Sequence, residues 1–489
     1  MSIAQKAARG VAWNMAFGLG SRVLQLVGTL ILTRVVNKDA YGAVILASII
    51  VATASAFTSF SFGQYLIAKK APASVASQAM AIHLSLGVIA MAVTYELRFW
   101  LNDLFNDDVR HSMAPYVLGF AIAQLIDRSR YVPERLLMRG LRFRALATIN
   151  GVGELGFTVA VLATMTFWHE RAIVFATVAR SVLTATLFFK AAPRDEWMVR
   201  VQMRAQDVRD LIMYGLPIMV AIVTDTATRR WDNLVVTKLF DTGTMGLYQL
   251  AYSLAEMPII NVAEHIGEVL MPSFSQMEPG QRERAALRAP ALMGLVVSPL
   301  GVGLGAIAPT VASTIFNEEW RGMGPLLTIL SVMTVFRPMT WSAIAYVQAV
   351  QRTRIVMWAS FIRAIVVLSL VYVGGKLGGI NGACWGAGAG FAAHSVLTIV
   401  ATGRATGLSS AAYLAGCMRS LLPCAPMYFA VEAVARALAG AGTPGVLSLV
   451  VQILVGGVVY VAAAFVFCRS LSRELIRLGL QVLRRRRAA

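Results

Sequence analysis

The sequence predicts an all-α polytopic membrane protein of about 14 transmembrane helices, and three observations lead there. The chain is 57% hydrophobic and only 14% charged, with a mean hydropathy of +0.66, whereas an average soluble protein is about one quarter charged. Apolar runs of about 20 residues recur along its whole length, each long enough to cross a bilayer as a helix. Lysine and arginine, finally, are spread unevenly over the segments that join these runs.

Taken in order, apolar segments bounded by charge or Gly/Pro clusters fall at 11–33, 41–67, 76–97, 113–133, 145–168, 172–190, 211–231, 243–268, 289–315, 324–350, 355–375, 379–402, 410–435 and 446–468. The start, "MSIAQKAARG", has no small-residue cleavage site behind a short apolar core, so the first run reads as a retained span rather than a signal peptide. An even number of spans puts both termini on one side. If that side is cytoplasmic, cytoplasmic segments hold 28 Lys/Arg and the opposite side holds eight, the asymmetry the positive-inside rule requires. Losing one helix from the count would scramble the pattern from that point on. The same distribution explains the net charge of +19 without nucleic acid, and the C-terminal "RRRRAA" reads as a basic tail facing anionic lipid. Cys384, Cys417, Cys424 and Cys468 all lie in apolar segments without metal-like spacing and read as small packing residues.

An internal repeat organises the chain. Leu32–Ala47, "LTRVVNKDAYGAVILA", lies on Val236–Ala251, "VTKLFDTGTMGLYQLA", with an offset of 204. Thr33 meets Thr237, Gly42 meets Gly246, Leu46 meets Leu250 and Ala47 meets Ala251, while Arg34 faces Lys238 and Asn37 faces Asp241. The offset covers six spans, so both copies enter the membrane in the same direction. Repeats of that kind are related by a pseudo-two-fold along the membrane normal, with substrate expected between the halves. The expected organisation is an N-lobe over 1–205, a C-lobe over 206–403, and two further helices with the basic tail over 404–489.

Four stretches carry a resemblance: "TRVVNKDAYG" after the first span, "ERLLMRGLRFRALA" (Glu134–Ala147), the long run Asp232–Ser275, and "FNEEWRGMGPLLTILSV" (Phe316–Val332). In their order and spacing they resemble the polysaccharide-transport branch of the multidrug/oligosaccharidyl-lipid/polysaccharide flippase superfamily, over nearly the whole chain. The resemblance implies a multi-pass protein of the bacterial inner membrane. It would move undecaprenyl-pyrophosphate-linked repeat units from the cytoplasmic to the periplasmic leaflet by alternating access, for exopolysaccharide or O-antigen synthesis. A polysaccharide polymerase and co-polymerase are the partners it implies.

The residues themselves supply candidate sites. A mid-helix arginine costs roughly 2.5–3.5 kcal/mol on insertion scales, so it faces a polar interior. In the first span Asn14, Gly18, Ser21, Arg22, Gln25 and Thr29 form one polar or small stripe. At about 1.5 Å per residue, Arg22 stands roughly 16 Å from the start of the span, near the midplane. Arg180, Arg337 and Arg363 lie inside the sixth, tenth and eleventh spans, and Arg229 and Arg230 toward the outer end of the seventh. Guanidinium groups match phosphate oxygens bidentately, so this set is the candidate substrate cavity for a pyrophosphate. Asp225 and Glu256 are the intramembrane acids. Two readings stay open for them: ion pairs with Arg229 or Arg230, or a titrating group that couples transport to H⁺ or Na⁺. Glu264, His265 and Glu268 approach the cytoplasmic surface. Gly378, Gly382, Gly386 and Gly390 recur every fourth residue, a spacing that lets helices approach closely.

No "GxxxxGK" phosphate cradle occurs, so no built-in ATPase is expected, and no cofactor. A membrane glycosyltransferase or polymerase would place its chemistry on a long outer loop, and the longest here is "RFWLNDLFNDDVRHSM". A multidrug or cation exporter would need an acidic or aromatic cavity, against the excess of intramembrane arginine. A lipid II flippase meets the same physical requirement and stays open beside the polysaccharide reading.

Overall fold

The computed structural model of the chain describes residues 27–68, 72–105, 112–140, 142–200, 203–352 and 354–477. Among them every regular element is helical. Among the described residues ten helices are long and apolar enough to cross a membrane. One of these, α14 (Arg354–Thr406), holds non-helical backbone at Gly378 and Gly379, with Gly379 at φ 61° and ψ −154°, and so is a hairpin of two arms. Together with α5 (Ala114–Ser129) and α10 (Thr242–Ser275), every apolar run after the first coincides with helix. Most of the first run lies outside the described residues, and so do Asn14, Arg22 and Gln25. Glu264, His265 and Glu268 sit on α10 where the side chains are likewise outside them.

The hairpin turn shows why one glycine spacing serves two purposes. A Cβ at Gly382 would stand 2.1 Å from the Gly374 carbonyl oxygen, one at Gly386 2.1 Å from that of Leu370, and one at Gly390 2.8 Å from Val367 Cα. These three let the arms touch backbone to backbone, as the stripe predicted. Gly378 has open space around it instead and belongs to the turn, beside a φ that only glycine adopts at little cost.

Contacts divide the chain into two compact units, Met1–Gly246 and Leu247–Ala489. The lobes drawn at 205/206 follow the repeat; this division follows packing, and the two cut the chain at different places. In the first unit, α1 (Lys38–Phe57), α3 (Ala73–Glu96) and α5 pack on one another, and α7 (Phe143–Trp168) pairs with α8 (Arg171–Ala191). Short helices α2 (Phe62–Ala68), α4 (Arg98–Phe105) and α6 (Tyr131–Arg139) lie between them. Helix α9 (Ala205–Leu239) packs on α1 and α2. A cluster of Phe62, Leu66, Val75, Ala79, Val132 and Leu211 closes this end.

In the second unit, α11 (Pro279–Ile315) is the centre. It touches α12 (Met323–Met333), α13 (Met339–Ala349), α15 (Ser410–Leu421), α16 (Cys424–Gly440) and α17 (Gly445–Phe467). Cys384, Cys417, Cys424 and Cys468 are all buried, in keeping with packing. The outer face of α17 carries exposed Val446, Leu454, Val458 and Val466, the composition of a helix bathed in lipid.

The repeat is written into the atoms. Asn37 caps α1 by accepting from the Ala40 N–H at 2.8 Å, and Asp241 accepts from the Thr244 N–H at 2.7 Å at the start of α10. Ala40 and Thr244 are themselves 204 residues apart, so the same cap begins the same helix of each copy.

One further cation is enclosed by protein. Arg128, within the run 113–133, lies in the last turn of α5 and is only 2% exposed. It donates to the Ser55 carbonyl at 2.8 Å, the Ser55 hydroxyl at 3.0 Å, the Thr58 hydroxyl at 2.5 Å and the His83 carbonyl at 3.1 Å. A cation here meets the last turn of α1 through the Ser55 carbonyl and the Ser55 and Thr58 hydroxyls, where the helix dipole is negative, just before the chain breaks at Thr58–Ser61 and restarts as α2. Gly87 makes room, since a Cβ there would meet Arg128 Cδ at 2.5 Å. Arg128→Met removes these charge-assisted hydrogen bonds from a buried site, at about 1.5–3 kcal/mol each. Its melting temperature in detergent should therefore fall by several degrees, and an unchanged value would refute the capping role.

Candidate functional site

Each unit holds intramembrane ion pairs. In the second unit the pair is built at a broken helix. After α12 ends at Met333, residues Thr334–Phe336 form one 3₁₀ turn, and Pro338 separates Arg337 from α13. Proline has no N–H to continue the ladder, so backbone groups are freed inside the membrane and must be satisfied locally. Hydroxyls do this. Ser395 Oγ donates to the Phe336 carbonyl at 2.8 Å, Thr340 Oγ1 to that of Arg337 at 2.9 Å, and Thr334 Oγ1 to that of Ser331 at 3.0 Å.

The break aims Arg337 at α10. Its Nη1 donates to Glu256 Oε1 and to the Tyr252 hydroxyl at 3.2 Å, and its guanidinium lies over the Phe391 ring at 4.9 Å. The two charged side chains are 14% and 21% exposed, so the pair is largely withdrawn from its surroundings. Arg363, on the first arm of α14, is half-buried, and with Arg337 it acts electrostatically on His394 of the second arm. The structure thus assembles two of the predicted cations, one predicted acid and one histidine into a single neighbourhood of this unit.

In the first unit Arg180 of α8 pairs with Glu154 of α7, Nη1 to Oε1 at 2.9 Å, both side chains about one third exposed. The guanidinium also lies 5.8 Å from the centre of the Phe157 ring. On α9, Arg229 Nε meets Asp225 Oδ2 at 3.0 Å one helical turn away, with both side chains half exposed. Arg230 is exposed beside it. Trp231 fixes this face of α9 by donating from Nε1 to Thr53 Oγ1 of α1 at 3.1 Å.

The Asp225–Arg229 pair is one of the two alternatives the sequence reading left open. Glu256 differs: its partner is Arg337, not Arg229 or Arg230, because the break after α12 turns Arg337 toward α10. Glu154 was missed altogether, although its place in the middle of the run 145–168 was a legible signal. An acid and a base 26 residues apart on neighbouring helices neutralise each other across the helix boundary, which linear sequence does not display.

Such a constellation allows exchange. A guanidinium already held by a carboxylate is stripped of most of its water, so an incoming phosphate can replace the carboxylate with bidentate geometry.

The fold and these charged interiors define a multi-pass helical membrane protein built around intramembrane ion pairs. The chain belongs to the polysaccharide biosynthesis protein family, whose profile matches residues 31–325. Among curated relatives it is similar to the lipopolysaccharide biosynthesis protein WzxC of Escherichia coli (strain K12), at 20% identity over 79% of this chain and 78% of that one. It is also similar to the succinoglycan biosynthesis transport protein ExoT of Rhizobium meliloti (strain 1021), at 23% identity over 76% and 75%. Among solved structures it shares the fold of the lipid II flippase MurJ in an inward closed conformation, with a TM-score of 0.74, 15% identity, and coverage of 94% of this chain and 99% of that one.

Proposed function

We propose that the chain is a flippase that moves undecaprenyl-pyrophosphate-linked oligosaccharide repeat units from the cytoplasmic to the periplasmic leaflet by alternating access. Membership of the polysaccharide biosynthesis family carries this reading, supported by the names of WzxC and ExoT and by the fold shared with a lipid II flippase. The chemistry fits. A pyrophosphate needs guanidinium partners at membrane depth, and Arg180, Arg229, Arg230, Arg337 and Arg363 supply them, with Arg22 from the first span. The reading is of a transporter in the inner membrane with both termini cytoplasmic, and not of an enzyme. A polymerase and co-polymerase would take the units on the far side.

Glu256 and Asp225 are the proposed coupling groups. When pyrophosphate takes Arg337, Glu256 loses its counter-charge and accepts H⁺ or Na⁺; release of cargo restores the pair. No resident cofactor enters the cycle.

The cellular test uses Arg22→Ala. A midplane cation that meets the pyrophosphate predicts that this variant accumulates in the membrane at wild-type level and supports no surface polysaccharide. Normal polysaccharide from equal amounts of protein would remove Arg22 from the site.

A further inference from the structure

The second unit contains a cavity of about 840 Å³ away from the ion pairs, walled by α10, α11 and the helical segment 469–477 that follows α17. Its lining on α11 steps through Gln281, Arg284, Arg288, Leu292 and Val296, one face of a helix at three- and four-residue spacing. From Arg284 to Val296 that face rises about 18 Å at about 1.5 Å per residue. The deep walls are apolar, with Leu270 and Phe274 from α10 opposite Leu292 and Met293. Leu471 and Leu475 hold the segment 469–477 in place by packing near Leu295, Ala464 and Cys468.

Polarity is confined to one end. Arg284 and Arg288 are exposed there, just before the apolar run 289–315 begins. Arg284 is oriented by its Nε donating to the Gly280 carbonyl at 3.1 Å. Arg288 Nη1 is 3.9 Å from Glu474 Oε1, and the arginine side chain remains 70% exposed. That contact is long and solvated, so it does little to neutralise the arginine. Near these residues in sequence lie Arg282 and the acids Glu278 and Glu283, and the segment 469–477 adds Arg469, Arg473 and Arg477.

An apolar slot under a basic rim has a definite complement. A soluble anion would satisfy the arginines and leave the slot without an apolar occupant. A neutral apolar molecule would fill the slot and ignore the rim. An anionic amphiphile does both, and at the basic face of a membrane protein the abundant one is a phospholipid of that leaflet, attracted by about 1 kcal/mol per Lys/Arg near the surface.

We propose that this cavity binds an anionic phospholipid, its phosphate between Arg284 and Arg288 and one acyl chain along α11 toward Val296. The lipid bridges α10, α11 and the segment 469–477, and so ties that segment to the bundle. The site is separate from the ion pairs and stands whether or not the cargo is a lipid-linked oligosaccharide.

The test is lipid retention and thermal unfolding of the purified full chain in detergent, with added phosphatidylglycerol, phosphatidylcholine or undecaprenyl phosphate. Phosphatidylglycerol should raise the melting temperature by several degrees and remain bound through native mass spectrometry, at least tenfold more than phosphatidylcholine. Arg284→Gln with Arg288→Gln should abolish that preference while leaving the lipid-free melting temperature unchanged. Ala289→Phe, which fills the slot and keeps the arginines, should also lose the retained lipid. This second variant decides the matter if the double glutamine variant proves unstable. Equal response to the two phospholipids, preferential retention of undecaprenyl phosphate, or full phosphatidylglycerol binding by Ala289→Phe would each overturn the assignment.

Discussion

Valine in place of Gly42 should yield almost no folded protein, and valine in place of Gly246 should do the same. A Cβ on Gly42 would stand 1.9 Å from the Thr242 carbonyl oxygen, and one on Gly246 would stand 2.5 Å from the Lys38 carbonyl oxygen. Lys38 and Thr242 are 204 residues apart, like the two glycines, so each contact is the repeat mate of the other. The N-terminal turns of α1 and α10 therefore cross on a local two-fold, backbone on backbone, with each glycine under the other helix's first turn. Both obstructing atoms belong to main chain and cannot rotate away. Overpacking a core normally costs about 1–3 kcal/mol because side chains give way; here the helices themselves must separate. Expression of a fluorescent fusion followed by size-exclusion chromatography reads the result. Even alanine should be damaging at either site, and a monodisperse, heat-stable Gly42→Val protein would refute the crossing.

The second large effect concerns the Arg337–Glu256 pair. Arg337→Leu takes the guanidinium away from the Glu256 carboxylate, and breaking a buried pair from one side costs about 3–5 kcal/mol. Arg337→Leu and Glu256→Leu should each lower the melting temperature strongly, whereas the double variant should recover most of the loss because no charge remains stranded. Additive losses in the double variant would show that the two residues act independently. Transport separates from stability in this series. The stable double variant should still be inactive, and Glu256→Gln, which keeps the shape of the acid without its charge, should carry cargo without dependence on a proton or sodium gradient.

The helices were legible because a bilayer enforces a minimum apolar length and leaves a charge imbalance across the loops, both of which are properties of a linear string. The repeat was legible for a similar reason: Asn37 and Asp241 are both cap residues, and Gly42 and Gly246 both fill a place where a side chain does not fit. What stayed hidden was lateral. Glu154 and Arg180 find each other across two helices, and no periodicity announces it. Arg128 stands in the run 113–133 among Asp127, Ser129 and Arg130, which give no sign of burial, because its burial depends on Ser55, Thr58 and His83 from elsewhere in the unit. Glu256 was left between a pair with Arg229 or Arg230 and a titrating role, and Arg337 was not among its candidates, because the break at Pro338 redirects Arg337 in a way that a count of residues from span boundaries does not reveal. Charged residues in the run of sequence marked places of interest; the partner of each was set by packing.

The central claim is that the cargo is a pyrophosphate-linked oligosaccharide lipid, and reconstituted flux tests it most directly. The full chain is placed in vesicles with undecaprenyl-pyrophosphate-linked oligosaccharide, and a membrane-impermeant sugar-binding probe reads transfer between leaflets. The account predicts rapid transfer by the wild type, none by the thermally stable Arg337→Leu/Glu256→Leu protein, and slowing of the wild type by inorganic pyrophosphate. Transfer no faster than in empty vesicles, together with robust expulsion of a cationic dye by the same preparation, would contradict it and point to an exporter of cations.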